Sequence, residues 1–140
     1  MLVMTPRKKS IHVACAIIEQ GGKVLAAQRS ERMNMPLKWE FPGGKIDNDE
    51  SPEECLKREC QEELGIEIEV GSALSVVTHS YSPIFTVTLY PYLCSIRSGE
   101  VTLREHKAVR WTKPGDMRLL DWADADWPIL DEYLKRNGSA

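Results

Sequence analysis

The sequence predicts an α/β fold in which a mixed β-sheet lies between α-helices. Three observations lead there: runs of strand character on both sides of one sharply delimited helix, a second amphipathic helix near the end of the chain, and turn signals that separate the strand runs. With 140 residues, 42% of them apolar, the chain fits one domain around a single core.

Residues 1–10 read as a flexible leader and 11–137 as the single domain. The N-terminal outline, a basic stretch before an apolar one, superficially matches a signal peptide. The apolar run is short and ends at Glu19-Gln20-Gly21-Gly22, so it reads as the first core strand instead. His12 to Glu19 and Lys23 to Arg29 are β-rich and flank Gln20-Gly21-Gly22, a hairpin signal. Arg32 to Lys38 is then a loop leading into a short strand, Trp39-Glu40-Phe41, which delivers the chain to Pro42-Gly43-Gly44.

Pro52 to Leu64 is the first helix. Ser51-Pro52-Glu53-Glu54 is a capping box, with Ser51 at the N-cap, proline at the first helical position and Glu54 three residues after the cap. Gly65 supplies the C-terminal stop. Ile66 to Ser80 and Ile84 to Ile96 are two further strand segments joined through Tyr81-Ser82-Pro83, and the alternation from Phe85 to Tyr90 fits a half-buried antiparallel pair. Lys107 to Trp111 is the last strand. Trp127 to Arg136 is an amphipathic helix with Trp127, Leu130, Tyr133 and Leu134 on one side.

A net charge of −3 argues against a protein that coats a nucleic acid polymer by neutralising phosphates. No apolar stretch approaches the roughly 18 residues a membrane span needs. The four cysteines, at 15, 55, 60 and 94, form no CxxC pair and no zinc-ligand spacing, and read as reduced thiols of a cytoplasmic protein. His12, His79 and His106 form no triad with Ser or Cys and read as structural or solvent-facing.

The chemistry is concentrated on the first helix. Glu59, Glu62 and Glu63 stand at i, i+3 and i+4, so one face carries three carboxylates that repel one another. They fall in the last turns, where the helix dipole disfavours an anion by roughly 0.3–1 kcal/mol. A solvated acidic face has the same spacing, but stability alone would not place three glutamates there. A hard divalent cation, Mg2+ or Mn2+, reverses the sign of the problem.

The surrounding residues extend the pattern. Gly44 to Ile66 reads GKIDNDESPEECLKRECQEELGI: Gly, five residues, Glu50, seven residues, Arg58-Glu59, an apolar slot filled by Cys60, Glu62-Glu63, then Gly65 and Ile66. This resembles the Nudix box, and the chain is similar to the MutT-type nucleoside triphosphate pyrophosphohydrolases, most of all their (d)CTP pyrophosphohydrolase branch. The likeness also draws on HVACAII, KVLAAQR, WEFPGGK, a glutamate six residues before Trp111, and ADWPIL.

The resemblance implies a Nudix fold and Mg2+- or Mn2+-dependent hydrolysis of a nucleotide, CTP or dCTP or an oxidised one such as 8-oxo-dGTP, to monophosphate and pyrophosphate. It implies metal ligands at Glu59, Glu63 and the Gly43 carbonyl, with Glu62 ligating directly or through water. Arg58 would orient the glutamates; the plainer role for it is an ion pair with Glu54, four residues earlier. Glu105 would be an extra ligand or the general base, though it also sits in a charged run, Arg104 to Lys107. Arg29 and Lys45 would contact phosphate. Asp126 would read the nucleobase as an ionised, acceptor-only carboxylate, unless it or Asp124 merely caps the last helix; Trp122 or Trp127 would stack on the base. The implied partner is a small nucleotide bound by a monomer or homodimer. A regulator or recognition module that binds nucleotide without turnover is the alternative from another class, and the intact glutamate trio weighs against it.

Overall fold

The structure, a computed structural model, describes residues 7–138. Ten elements follow along the chain: β1 (Lys9–Gln20), β2 (Lys23–Gln28), β3 (Trp39–Glu40), β4 (Gly43–Lys45), α1 (Pro52–Leu64), β5 (Glu67–Ala73), β6 (Val77–Ser82), β7 (Phe85–Ser98), β8 (Ala108–Thr112) and α2 (Trp127–Arg136). Two short 3-10 helices, Pro114–Leu119 and Asp124–Asp126, lie between β8 and α2.

β1 organises the sheet. It runs parallel to β7 from Lys9 opposite Phe85 to Ile18 opposite Cys94, and its middle pairs antiparallel with β4. Its far end turns through Gly21 and Gly22, at φ 58° and 75°, into the hairpin with β2. Two successive left-handed residues are what a tight hairpin turn needs, and glycine adopts them without strain. The strand order is β3-β2-β1-β7-β5, with β6 also on β7 and β8 also on β2.

The run Ala14 to Ile18 is buried on both faces, which is why it is apolar without a break. Ala14, Ala16 and Ile18 pack with Cys55, Leu56, Cys60 and Leu64 of α1. Cys15 and Ile17 belong to the opposite cluster, with Ile129, Leu130, Tyr133 and Leu134 of α2. All four cysteines are free and buried, and burial pushes their thiols up, Cys55 and Cys94 to about 12. Among the described residues no helix is long and apolar enough to cross a membrane.

Several expectations shift. Residues 1–6 of the expected leader lie outside the described residues, while Lys9 and Ser10 already belong to β1 because they pair with Phe85 and Thr86. The segment expected as one strand from Ile66 to Ser80 is two. Pairing with β7 is irregular between Val70 and Ala73 and lapses after Ala73, Glu132 of α2 accepts hydrogen bonds from Ser75 N at 3.1 Å, and β6 resumes at Val77. β7 does pair antiparallel with β6, but its longest partner is β1, in parallel. β4 was not expected at all.

Candidate active site

Two glycines decide how the loop meets the helix. A Cβ on Gly43 would lie 1.9 Å from the Ala14 carbonyl oxygen, so only glycine lets β4 pair this closely with β1. A Cβ on Gly44 would lie 2.3 Å from Cδ of Glu59. The Glu59 carboxylate therefore rests in the space that a side chain at Gly44 would fill. Gly44→Ala is expected to dislodge that carboxylate and cut kcat at least tenfold, with a much smaller change in melting temperature. Wild-type turnover in that variant would show that the close fit is irrelevant to activity.

α1 forms over the predicted residues, with the capping box in place: Ser51 N donates to Glu54 at 2.9 Å and Glu54 N donates to Ser51 Oγ at 3.1 Å. Since Glu54 is occupied there, Arg58 does not take it as a partner. Arg58 instead forks onto Glu50, with bonds of 2.6 and 3.0 Å, and reaches Glu59 Oε1 at 2.7 Å and Glu62 Oε2 at 3.3 Å. Its grip holds the Glu50 carboxyl down to about 2. This one guanidinium thus ties Glu59 and Glu62 of α1 to the loop, to which it also donates at the Lys45 carbonyl, 3.3 Å away.

Glu63 is half-buried. Burial first, then the neighbouring carboxylates Glu59, Glu105 and Glu40, push its carboxyl up to about 8. It lines a cavity of about 250 Å³ together with Gly43, Gly44, Glu105, Arg29, Glu40, His106, Phe41 and Asp126. A smaller cavity of about 130 Å³ shares Arg29, Glu40 and Asp126 and is walled by Tyr81, Phe85, Met35 and Ala125. Tyr81 accepts a hydrogen bond from Ala125 N at 3.0 Å and so steadies the turn that presents Asp126.

Of the residues the sequence singles out, the main cavity brings together Gly43, Glu63, Glu105, Arg29 and Asp126. Glu59 lies against Gly44 at its edge, whereas Glu62 is 59% exposed on the side chain and bound to Arg58. Lys45 is exposed at the end of β4 and lies outside the lining of both cavities. Arg29 is not a free phosphate contact: Nη1 is paired with Glu40 at 2.6 Å and Nε donates to the Asn34 carbonyl at 2.6 Å. Trp122 is fully buried, tilted on Phe41 and donating Nε1 to the Met117 carbonyl at 2.7 Å, so it is core and not a stacking surface.

Asp126 does not take the plainer capping role: it makes no side-chain cap bond to α2, and its Oδ2 instead accepts from Phe41 N at 2.9 Å across the molecule. Burial, reinforced by Glu40, pushes its carboxyl up to about 8, against the opposing pull of Phe41 N and Arg29. Its surroundings therefore favour the protonated, hydrogen-bond-donating acid over the acceptor-only anion.

Glu40 and His106 are the residues sequence reasoning missed. Glu40 accepts from Arg29 and, on its other oxygen, from His106 Nε2 at 2.8 Å. His106 Nδ1 is buried without a partner, which costs roughly 1–3 kcal/mol, comparable to what the Glu40 bond returns. The available signal was position: Glu40 occupies a strand directly before the glycine loop, and His106 follows Glu105.

The donor set suits a hard cation. Arg58 engages Oε1 of Glu59, while Oε2 lies near Gly44, and crowding by Glu59 is part of what drives Glu63 upward, the condition a divalent ion relieves. Among the described residues, no three acidic, His or Cys side chains converge closely enough to hold an ion as they stand.

A glycine loop leading to an acidic helix, beside a cavity on a mixed sheet, is an α/β architecture with the equipment of an enzyme site. The NUDIX domain pattern matches residues 8–133, and the chain belongs to the Nudix hydrolase family. It is 36% identical over 126 residues to the CTP pyrophosphohydrolase of Escherichia coli (strain K12), covering 90% of this chain and 93% of that protein. It is also 36% identical over 128 residues to the 8-oxo-dGTP diphosphatase of Haemophilus influenzae, covering 91% and 93%. The fold matches the solution structure of the E. coli ORF135 protein with a TM-score of 0.81 and 34% identity over 94% of each chain.

Proposed function

We propose that this enzyme hydrolyses a nucleoside triphosphate to the monophosphate and pyrophosphate with Mg2+ or Mn2+, its substrates being CTP, dCTP or an oxidised nucleotide such as 8-oxo-dGTP. The observation that carries this reading is one cavity lined both by Glu63, Glu105 and the Gly43–Gly44 loop and by the buried Asp126 with Phe41. A nucleotide laid across it has its phosphates at the acidic helix and its base at Asp126. Names of the relatives support the same substrates.

Glu59 and Glu63, with Glu62, Glu105 and the Gly43 carbonyl as further donors, would hold the ions. When bound, these neutralise phosphate oxygens and make water a stronger acid. Arg58 holds the carboxylates of Glu59 and Glu62 in place. Glu105 takes the proton of the attacking water. Arg29, anchored on Glu40, faces the substrate with its remaining N–H groups, and Lys45 meets the phosphates from the exposed end of β4. A panel of triphosphates assayed for pyrophosphate release, with and without Mg2+, tests the reading. Tight binding with no release under any condition would favour a recognition module.

Binding is also expected to register as stability. Millimolar Mg2+ with a non-hydrolysable nucleotide at about 100 times its Kd adds about 2.7 kcal/mol to a fold that alone binds it, a rise in Tm of roughly 5–10 °C. An unchanged melting curve at saturating metal and nucleotide would count heavily against the site.

A further inference from the structure

We propose that Arg104 and His106 are positioning residues that hold Glu105 over the acidic end of α1; the proposal rests on the reading of Glu105 as a reacting carboxylate. Glu105 itself is exposed, on the loop between β7 and β8, yet it lines the cavity with Glu63. An exposed loop is a poor platform for a reacting group unless something fixes it, because catalytic geometry is lost with small displacements. Here both flanking residues are fixed, and to different parts of the molecule.

On one side, Arg104 Nη1 donates to the carbonyls of Glu62 at 2.8 Å and Gln61 at 3.2 Å. α1 has no basic residue in its last turn, so Arg104 brings from outside the helix the cation that its unpaired carbonyls and its dipole call for. Thr102 adds bonds from its N–H and hydroxyl to the Leu64 carbonyl. On the other side, the His106 side chain is 4% exposed and bonded to Glu40, and Lys107 N donates to the Gln28 carbonyl at 2.9 Å. Glu105 therefore spans from the end of the helix that carries the trio to the sheet that carries Glu40. Arg104 touches the same turn as Glu62 and Glu63, so movement of the helix end and of Glu105 is coupled.

A helix-capping arginine and a buried histidine with no bearing on Glu105 would produce the same bonds, and kinetics separate the two cases. The test uses the full chain, Mg2+ and a nucleoside triphosphate, well below each variant's melting temperature. Arg104→Met and His106→Phe are expected to lower kcat by about 10–100-fold with KM within about threefold. Arg104→Lys and His106→Gln, which retain a donor, are expected to recover part of that loss. Glu105→Gln alone is expected to lose about 10²–10⁴, and adding Arg104→Met to it should lose nothing more, since the clamp has then no carboxylate to place. Wild-type kcat in Arg104→Met and His106→Phe, or losses that multiply with Glu105→Gln, would overturn the clamp alone. Undiminished turnover in Glu105→Gln would bring down both the clamp and the role of Glu105 beneath it.

Discussion

Glu63→Gln is expected to cut kcat by roughly 10²–10⁴ at saturating Mg2+ while leaving the metal-free protein as stable as before or more so. The two halves of that result have one cause. Glu63 is half-buried and faces Glu59, Glu105 and Glu40, and its carboxyl is pushed up to about 8. A group raised above its unfolded value contributes stability that is fully present below about pH 4 and is lost as pH rises through about 8. The metal-free wild type should therefore weaken across that window, and Glu63→Gln should weaken less. Denaturant midpoints at pH 5 and pH 8.5 on both proteins measure this. Turnover, in contrast, needs the charge that stability rejects, because a neutral amide is a poor ligand for a hard cation. Near-normal turnover by Glu63→Gln would remove it from the metal site. Glu62→Gln should lose activity too, but its stability should barely change, since its side chain is already 59% exposed.

The local grammar of this chain was legible because its punctuation is strong. Ser51, Pro52, Glu54 and Gly65 delimit α1 at the residues where it occurs, and Gly21-Gly22 marks its hairpin. Legibility failed where the deciding contact is distant in sequence. β4 is three residues of Gly-Gly-Lys with no strand propensity; it is a strand only because β1 pairs with it at Val13 to Cys15. The break between β5 and β6 depends on irregular pairing with β7 and on Glu132 of α2. At the site the same division holds. The glutamates of α1 follow from helical spacing, but Arg58's choice of Glu50 over Glu54, the Arg29–Glu40–His106 chain and the burial of Asp126 require the loop, strand and final turn to meet. Sequence spacing predicts neighbours within one helix; it does not predict which charges that helix finds outside itself.

Asp126→Asn is expected to change substrate preference and to abolish its dependence on pH. In the wild type one oxygen accepts from Phe41 N at 2.9 Å, a bond that the Asn carbonyl can keep, while the side chain also lines both cavities. With a carboxyl pushed up to about 8, the wild-type group can donate a hydrogen bond to the base near pH 7 and only accept one near pH 9. The ratio of kcat/KM among CTP, dCTP and 8-oxo-dGTP should therefore shift across that interval, toward bases that offer an amino or imino hydrogen as pH rises. Asn, whose amide nitrogen always donates, should hold one ratio throughout. The change at high pH should be about 10–100-fold, the cost of one unmatched buried hydrogen bond. Stability gives an independent reading with the same sign as for Glu63: ionising a buried Asp126 weakens the wild type as pH rises toward and through 8, and the amide removes that slope. Capping predicts neither effect, and the side chain makes no cap bond to α2. Identical kcat/KM ratios for the two proteins at pH 7 and pH 9 would sink the base-reading role, even if the stability slope disappeared as expected.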